Sequence, residues 1–158
     1  MRLGLIADTH GRLRAGVHEI FGKVDLILHA GDVGGPEVLE ELGLLAPVTA
    51  VYGNIDGPEL RRRLGRVVTL EVDGFRFVLT HGDQFGSPRP ERLKQAYPDA
   101  DVIVFGHTHH AVIESLPDFT VVVNPGAAGP ARFDLGPSVA ILETEPGIPP
   151  RGRIVPVP

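Results

Sequence analysis

The chain has 158 residues, 42% of them hydrophobic and 22% charged, the size and balance of one folded domain with a true core. Its net charge of −5 gives no support to nucleic-acid binding through a basic surface, and the absence of cysteine excludes disulfides and thiolate metal sites. The apolar stretch Met1 to Ala7 is too short for a signal peptide and no segment is long enough to span a bilayer, so a cytoplasmic protein is expected.

Arg2 to Ala7 reads as a buried strand. Leu13, Val17, Ile20 and Phe21 recur at helical spacing, with Gly22 as the C-cap. Val24 to Ala30 is a second buried strand. Gly35-Pro36 opens a helix with proline at its first position, and Val38, Leu39 and Leu42 are its apolar stripe. Val48 to Tyr52 is a third strand. Pro58 starts a short helix carrying Arg61, Arg62 and Arg63, read as a solvated face close to Arg66. This β-α-β-α-β-α order argues a mostly parallel sheet under helices. Beyond it, Arg66 to Val72 and Phe75 to Thr80 make a hairpin through Asp73-Gly74. A helix from Pro90 to Tyr97 follows, then strands Asp101 to Phe105, Ala111 to Leu116, Thr120 to Asn124 and Ser138 to Leu142. The tail from Glu145 holds five prolines and is expected to lie on the surface or pair as an edge, anchored by Ile154 and Val155. The simplest architecture is α/β, two packed sheets with helices outside, as a single domain over residues 1–158.

Polar residues follow five of these strands directly: Asp8-Thr9-His10, Gly31-Asp32, Gly53-Asn54, His81-Gly82-Asp83 and Gly106-His107-Thr108-His109. Ligands of α/β sheets bind beyond the carboxyl ends of strands, so Asp8, His10, Asp32, Asn54, His81, His107 and His109 are expected to converge. By composition alone G-H-x-H is expected roughly 0.04 times, and the whole ordered set on the order of 10⁻³ times. Carboxylate oxygen and imidazole nitrogen suit hard or borderline divalent cations. Seven ligands exceed one tetrahedral site and fit two ions sharing a carboxylate, which can clamp both oxygens of an in-line displacement. Manganese, zinc, iron, nickel and cobalt are all compatible with these donors.

The series D-x-H, G-D, G-N, H and G-H-x-H resembles the calcineurin-like metallophosphoesterase superfamily. From Leu3 to about Glu143, and including Asn124-Pro125-Gly126, it is similar to the small YfcE-type bacterial and archaeal phosphodiesterases. The resemblance implies a four-layer α/β/β/α sandwich with two mixed β-sheets. It implies a metal-dependent phosphodiesterase in which a hydroxide bridging two divalent ions attacks the phosphate. By position, Asp8, His10 and His109 would hold one ion, Asn54, His81 and His107 the other, and Asp32 would bridge. Asp32, Asn54 and His109 are the catalytic candidates. The expected partner is a small phosphoester, with a dimer or tetramer as the expected assembly. A phosphomonoesterase or nucleotidase on the same centre, or a non-catalytic interaction scaffold of the same fold, are the rivals.

One position departs from the family. Many members read G-N-H-[DE], where the histidine assists the leaving group, but here Ile55 follows Asn54. Asp56 is expected to orient Asn54 or a water, and Asp83, His110 and Arg132 are candidates for substrate contact or support of the site. His29 reads as a core or supporting histidine, and His18 as a surface residue on a helix. The segments Gln84 to Pro90 and Gly126 to Gly136 are the loops expected to set specificity.

Overall fold

The computed structural model describes residues 1–131 and 134–158. The first half runs β1 (Arg2–Ile6), α1 (Ala15–Phe21), β2 (Leu26–His29), α2 (Pro36–Gly43), β3 (Val48–Ala50) and α3 (Pro58–Arg63). The second runs β4 (Val67–Val72), β5 (Phe75–Thr80), α4 (Pro90–Ala96), β6 (Val102–Val104), β7 (Val112–Ser115), β8 (Val121–Asn124), β9 (Ser138–Glu145) and β10 (Ile148–Pro156). Two mixed five-stranded sheets result, ordered β10-β9-β1-β2-β3 and β4-β5-β6-β8-β7. β1, β2 and β3 are parallel in the first sheet, as β5, β6 and β8 are in the second.

The strands read as continuous apolar runs because both faces of each sheet are covered. Side chains alternate between faces. Leu3, Leu5, Leu28, Phe77, Leu79, Val102, Val104, Val121 and Val123 meet in one cluster, between the sheets. Their neighbours Ile6, Ile27, Val139 and Ile141 point outward against Val17 and Phe21 of α1, Val38 and Leu42 of α2, and Leu60 of α3. On the far side, Val78, Ile103 and Val122 pack on Leu93 of α4. That is the expected α/β/β/α order. Gly4 sits in β1 because the Phe21 ring lies on it; a Cβ there would come within 2.9 Å of the ring.

Local signals hold where their physics is local. Pro36, Pro58 and Pro90 each begin a helix. Asp73 and Gly74 have φ of 51° and 82°, the two left-handed residues of a tight hairpin turn. Gly22 caps α1, though in right-handed geometry with φ −60°. The proline-bearing tail pairs as an edge: β10 runs antiparallel to β9, with Ile154 and Val155 packed on the two apolar clusters of that sheet. β1, β2 and β3 end one or two residues inside the expected limits, where Asp8, Asp32 and neighbouring residues leave the ladder to face one another, whereas β9 runs to Glu145, three residues past the expected Leu142, paired with β10. Among the described residues no helix is long and apolar enough to cross a membrane.

Candidate metal centre

The carboxyl ends of β1, β2 and β3 in one sheet and of β5 and β6 in the other open onto the same rim. Five loops deliver their polar residues there, three of them in unusual backbone conformations. Among the described residues, eight non-glycine residues have positive φ, and five of them are Asp8 (54°), His10 (49°), Asp32 (52°), His107 (69°) and His109 (61°). Left-handed backbone costs a non-glycine residue roughly 1–2 kcal/mol. Concentrated strain of this kind marks a site whose geometry is imposed by its surroundings.

The side chains form two groups. Asp8, His10 and His109 can each present one ligand atom within 4.8 Å of the others, and so can Asp8, Asp32 and His81. Asp8 is fully buried, and among the described residues its Oδ1 accepts no hydrogen bond. That oxygen lies 3.9 Å from His10 Nε2, 3.3 Å from His109 Nε2 and 3.9 Å from His81 Nε2. His10 and His109 meet edge to face at 5.4 Å, and His81 and His107 do so at 5.2 Å. Asn54 joins the second pair: its Oδ1 is 3.0 Å from His81 Nε2 and 3.2 Å from His107 Nδ1. All seven expected residues are thus brought together. The carboxylate common to both groups is Asp8; Asp32 adjoins His81 at 3.3 Å.

Protonation follows from the contacts. His81 Nδ1 must donate to the Ala30 carbonyl, 2.8 Å away, which turns Nε2 toward Asp32 and Asn54. Burial, the largest influence, pulls the His81 pKa down, yet the Asp32 and Asp8 carboxylates carry it above the ordinary histidine value. Burial pushes Asp32 up, but His81 and the Ile55 N–H, 3.0 Å from Oδ1, hold it below the usual carboxylate range. A buried carboxylate oxygen without a donor, ringed by imidazole nitrogens, is the electrostatic signature of a cation site. The donor set fits divalent ions.

Several residues build this rim without pointing into it. Asp56 contacts the backbone rather than Asn54: its carboxylate accepts the N–H groups of Val33 (3.1 Å), Gly34 (2.8 Å) and Gly53 (2.8 Å), tying the loop after β2 to the loop after β3. Arg61, Arg62 and Arg63 are exposed, as a solvated helix face should be, but the Arg61 guanidinium is also engaged at the rim. It donates to the carbonyls of Asp56 at 2.6 Å and Asn54 at 3.2 Å and stacks on Tyr52. Asn124 donates to Gly106 O and Thr108 Oγ1, both at 3.0 Å, so the Asn-Pro-Gly turn holds the loop bearing His107 and His109. Gly53 is required because any Cβ there would collide with the Asp32 carboxylate. The sequence signals for these were present but weak: an arginine run, and an asparagine before Pro-Gly.

The remaining candidates lie elsewhere. Asp83 pairs with Arg66 at 3.1 Å. His110 is exposed beside the ligand loop, its N–H bonded to Thr108 Oγ1 at 3.3 Å. Arg132 is outside the described residues. His18 pairs with Glu41 at 2.7 Å between α1 and α2. Ile55 is 51% exposed at the rim. His29 is wholly buried beneath the site, and burial, reinforced by His81, pushes its pKa down to about 3. A cleft of about 560 Å³ at the opposite ends of the strands, lined by Phe75, Asp101, Phe119 and Thr120 among others, holds none of the ligand candidates. Ligand chemistry, not concavity, locates the centre.

Residues 1–147 match the family model of the calcineurin-like phosphoesterase superfamily domain. The chain belongs to this superfamily. It is 39% identical over 156 residues to a probable metallophosphoesterase of Methanothermobacter thermautotrophicus, covering 92% of this chain and 87% of that protein. It is 30% identical to a phosphodiesterase of Methanocaldococcus jannaschii, covering 92% and 94%. Among solved structures, Yfce, a phosphoesterase from E. coli, is similar at a TM-score of 0.67 and 26% identity over 90% and 88% of the chains. Vacuolar Protein Sorting 29 from Cryptosporidium parvum shares the fold at a TM-score of 0.82 and 23% identity over 98% and 96%.

Proposed function

We propose that this superfamily member is a metal-dependent phosphodiesterase whose centre holds two divalent ions, manganese first among them. The buried, donor-free Asp8 Oδ1 among three imidazoles carries the reading. Asp8, His10 and His109 would hold one ion, Asn54, His81 and His107 the other, with Asp32 shared. The phosphodiesterase name of a relative 30% identical over nearly its whole length supports the choice of diesters.

The ions, when bound, supply a nucleophile at neutral pH and positive charge for the phosphoryl oxygens. The protein supplies the rest. The Ala30 carbonyl fixes the His81 tautomer so that Nε2 faces inward. Asp56 and Arg61 hold the Asn54 loop from opposite polarities, carboxylate to N–H and guanidinium to carbonyl. Ile55 presents an aliphatic side chain where a proton donor stands in many other members, so the leaving oxygen departs without a proton from that position. Esters with acidic leaving groups are therefore the preferred substrates.

Asp32→Asn tests the centre. Metal content after dialysis against Mn²⁺ should fall to one ion or none per chain, and turnover of a chromogenic diester should vanish. A variant that keeps two ions and wild-type turnover would show that Asp32 is not shared. A panel of diesters, monoesters and nucleotides at fixed Mn²⁺ separates the reading from a phosphomonoesterase. Full metal loading without turnover on any ester would favour a scaffold.

A further inference from the structure

We propose that Thr9 and His29 are positioning residues, joined in a buried hydrogen-bond chain that locks the two loops presenting Asp8, His10 and Asp32 in their left-handed conformations. The proposal rests on the metal-centre reading above.

Each bond in the chain has one possible direction. The Gly31 N–H can only donate, so His29 Nδ1, 3.2 Å away, accepts. A neutral ring that accepts at Nδ1 carries its proton on Nε2. Nε2–H therefore donates to Thr9 Oγ1 at 2.9 Å. The Thr9 hydroxyl is left to donate to the Val33 carbonyl at 2.8 Å. Thr9 and His29 are both wholly buried, so no water competes for these groups.

The chain spans the strained positions. Thr9 stands between Asp8 and His10, with φ of 54° and 49°. Gly31 and Asp32, at φ 91° and 52°, lie between the chain's two backbone ends, Gly31 N and Val33 O. Backbone bonds run alongside it, Asp8 N to Gly31 O and His10 N to Asp32 O at 3.0 Å each, and Gly11 N to Val33 O at 2.7 Å. Those rungs would tolerate a concerted shift of both loops. The side-chain link from β2 through Thr9 to Val33 does not, because it ties the loops to the strand beneath. Burial keeps the His29 ring neutral, the state in which all three bonds form. Removal of groups that orient metal ligands typically costs about 10–100-fold in metal affinity.

Thr9→Val is the test, since it keeps the shape and removes both hydroxyl bonds, and Thr9→Ser restores the hydroxyl. Three properties are measured: Co²⁺ affinity by its visible spectrum, thermal unfolding of the metal-free protein, and the His29 ring by ¹⁵N NMR. In wild type the His29 Nε2 proton should exchange slowly, with Nδ1 unprotonated. Thr9→Val should lose that protection and bind Co²⁺ at least tenfold more weakly with an altered spectrum, and Thr9→Ser should recover both. A folded Thr9→Val protein with wild-type Co²⁺ affinity and spectrum overturns the proposal. If Thr9→Val does not fold, His29→Asn serves, because its amide oxygen can still accept from Gly31 but cannot reach Thr9; the same tenfold loss is expected and wild-type affinity is the overturning result. Wild-type protein that binds no Co²⁺ would instead sink the metal-centre reading, and a rapidly exchanging or Nδ1-protonated His29 ring would then sink the chain by itself.

Discussion

At the scale of single residues, the candidate centre depends on residue type and on where each side chain points. Asp8, His10, Asp32, Asn54, His81, His107 and His109 meet at one rim, and no local signal contradicts them. What the sequence did not show was direction. Asp56 was expected to orient Asn54 or a water, but its carboxylate turns to three backbone N–H groups, and nothing in the letters Gly-Asn-Ile-Asp distinguishes these. Ile55 was legible as an anomaly, and the structure gives it a place: its N–H is spent on Asp32 Oδ1 while its side chain is 51% exposed at the rim. A histidine there would meet no packing obstacle and would offer a proton to the leaving oxygen. General acid assistance is worth about 10²–10⁴-fold where the leaving group is poor and little where it is good. Ile55→His should therefore raise turnover of an alkyl ester at least about tenfold while leaving a nitrophenyl diester within about twofold. Equal effects on both substrates would remove the leaving-group argument for this position.

At the scale of elements, order and type were readable and junctions were not. Burial on both faces explains why the strands could be found as continuous apolar runs, and why their ends could not: Ala7 and Ala30 are as buried as the strands they leave. The junctions depend on contacts between distant segments, Asp8 with Gly31 and Val33 with Asp56, separated by 23 residues in each case. The Asp56 carboxylate is the main such contact, and it is 3% exposed. Asp56→Ala would strand the Val33, Gly34 and Gly53 N–H groups, each costing about 1–3 kcal/mol if left unpaired. Allowing for entry of water at the exposed Gly34, a loss of about 3 kcal/mol is expected, a fall in Tm on the order of 10 °C for a domain of this length. Asp56→Asn should be milder, since one oxygen still accepts. Thermal unfolding checks both, and an Asp56→Ala protein within about 1 kcal/mol of wild type would show that the clamp is not a stabilising element.

At the scale of the whole molecule, the site is a charged layer set into the end of an apolar core, so folding and protonation are linked. Two histidines pull in opposite directions. His81 has a raised pKa, so its contribution to stability is complete below about pH 6.5 and is lost as pH rises through its folded value. His29 has a pKa lowered from 6.5 to about 3, so the unfolded chain binds the extra proton between those values. Its contribution is complete above pH 6.5 and is lost as pH falls toward 3, at about 1.4 kcal/mol per pH unit. Substitution isolates that slope. For the metal-free protein, urea unfolding should give a stability difference between wild type and His29→Gln that grows in favour of wild type from pH 4 to pH 6.5 and is flat above it. The direction discriminates between causes: a histidine held charged by the nearby carboxylates would give the opposite slope, and a solvated one would give none. A flat difference below pH 6.5 would mean that His29 is not the buried neutral ring that the hydrogen bonds from Gly31 and to Thr9 require.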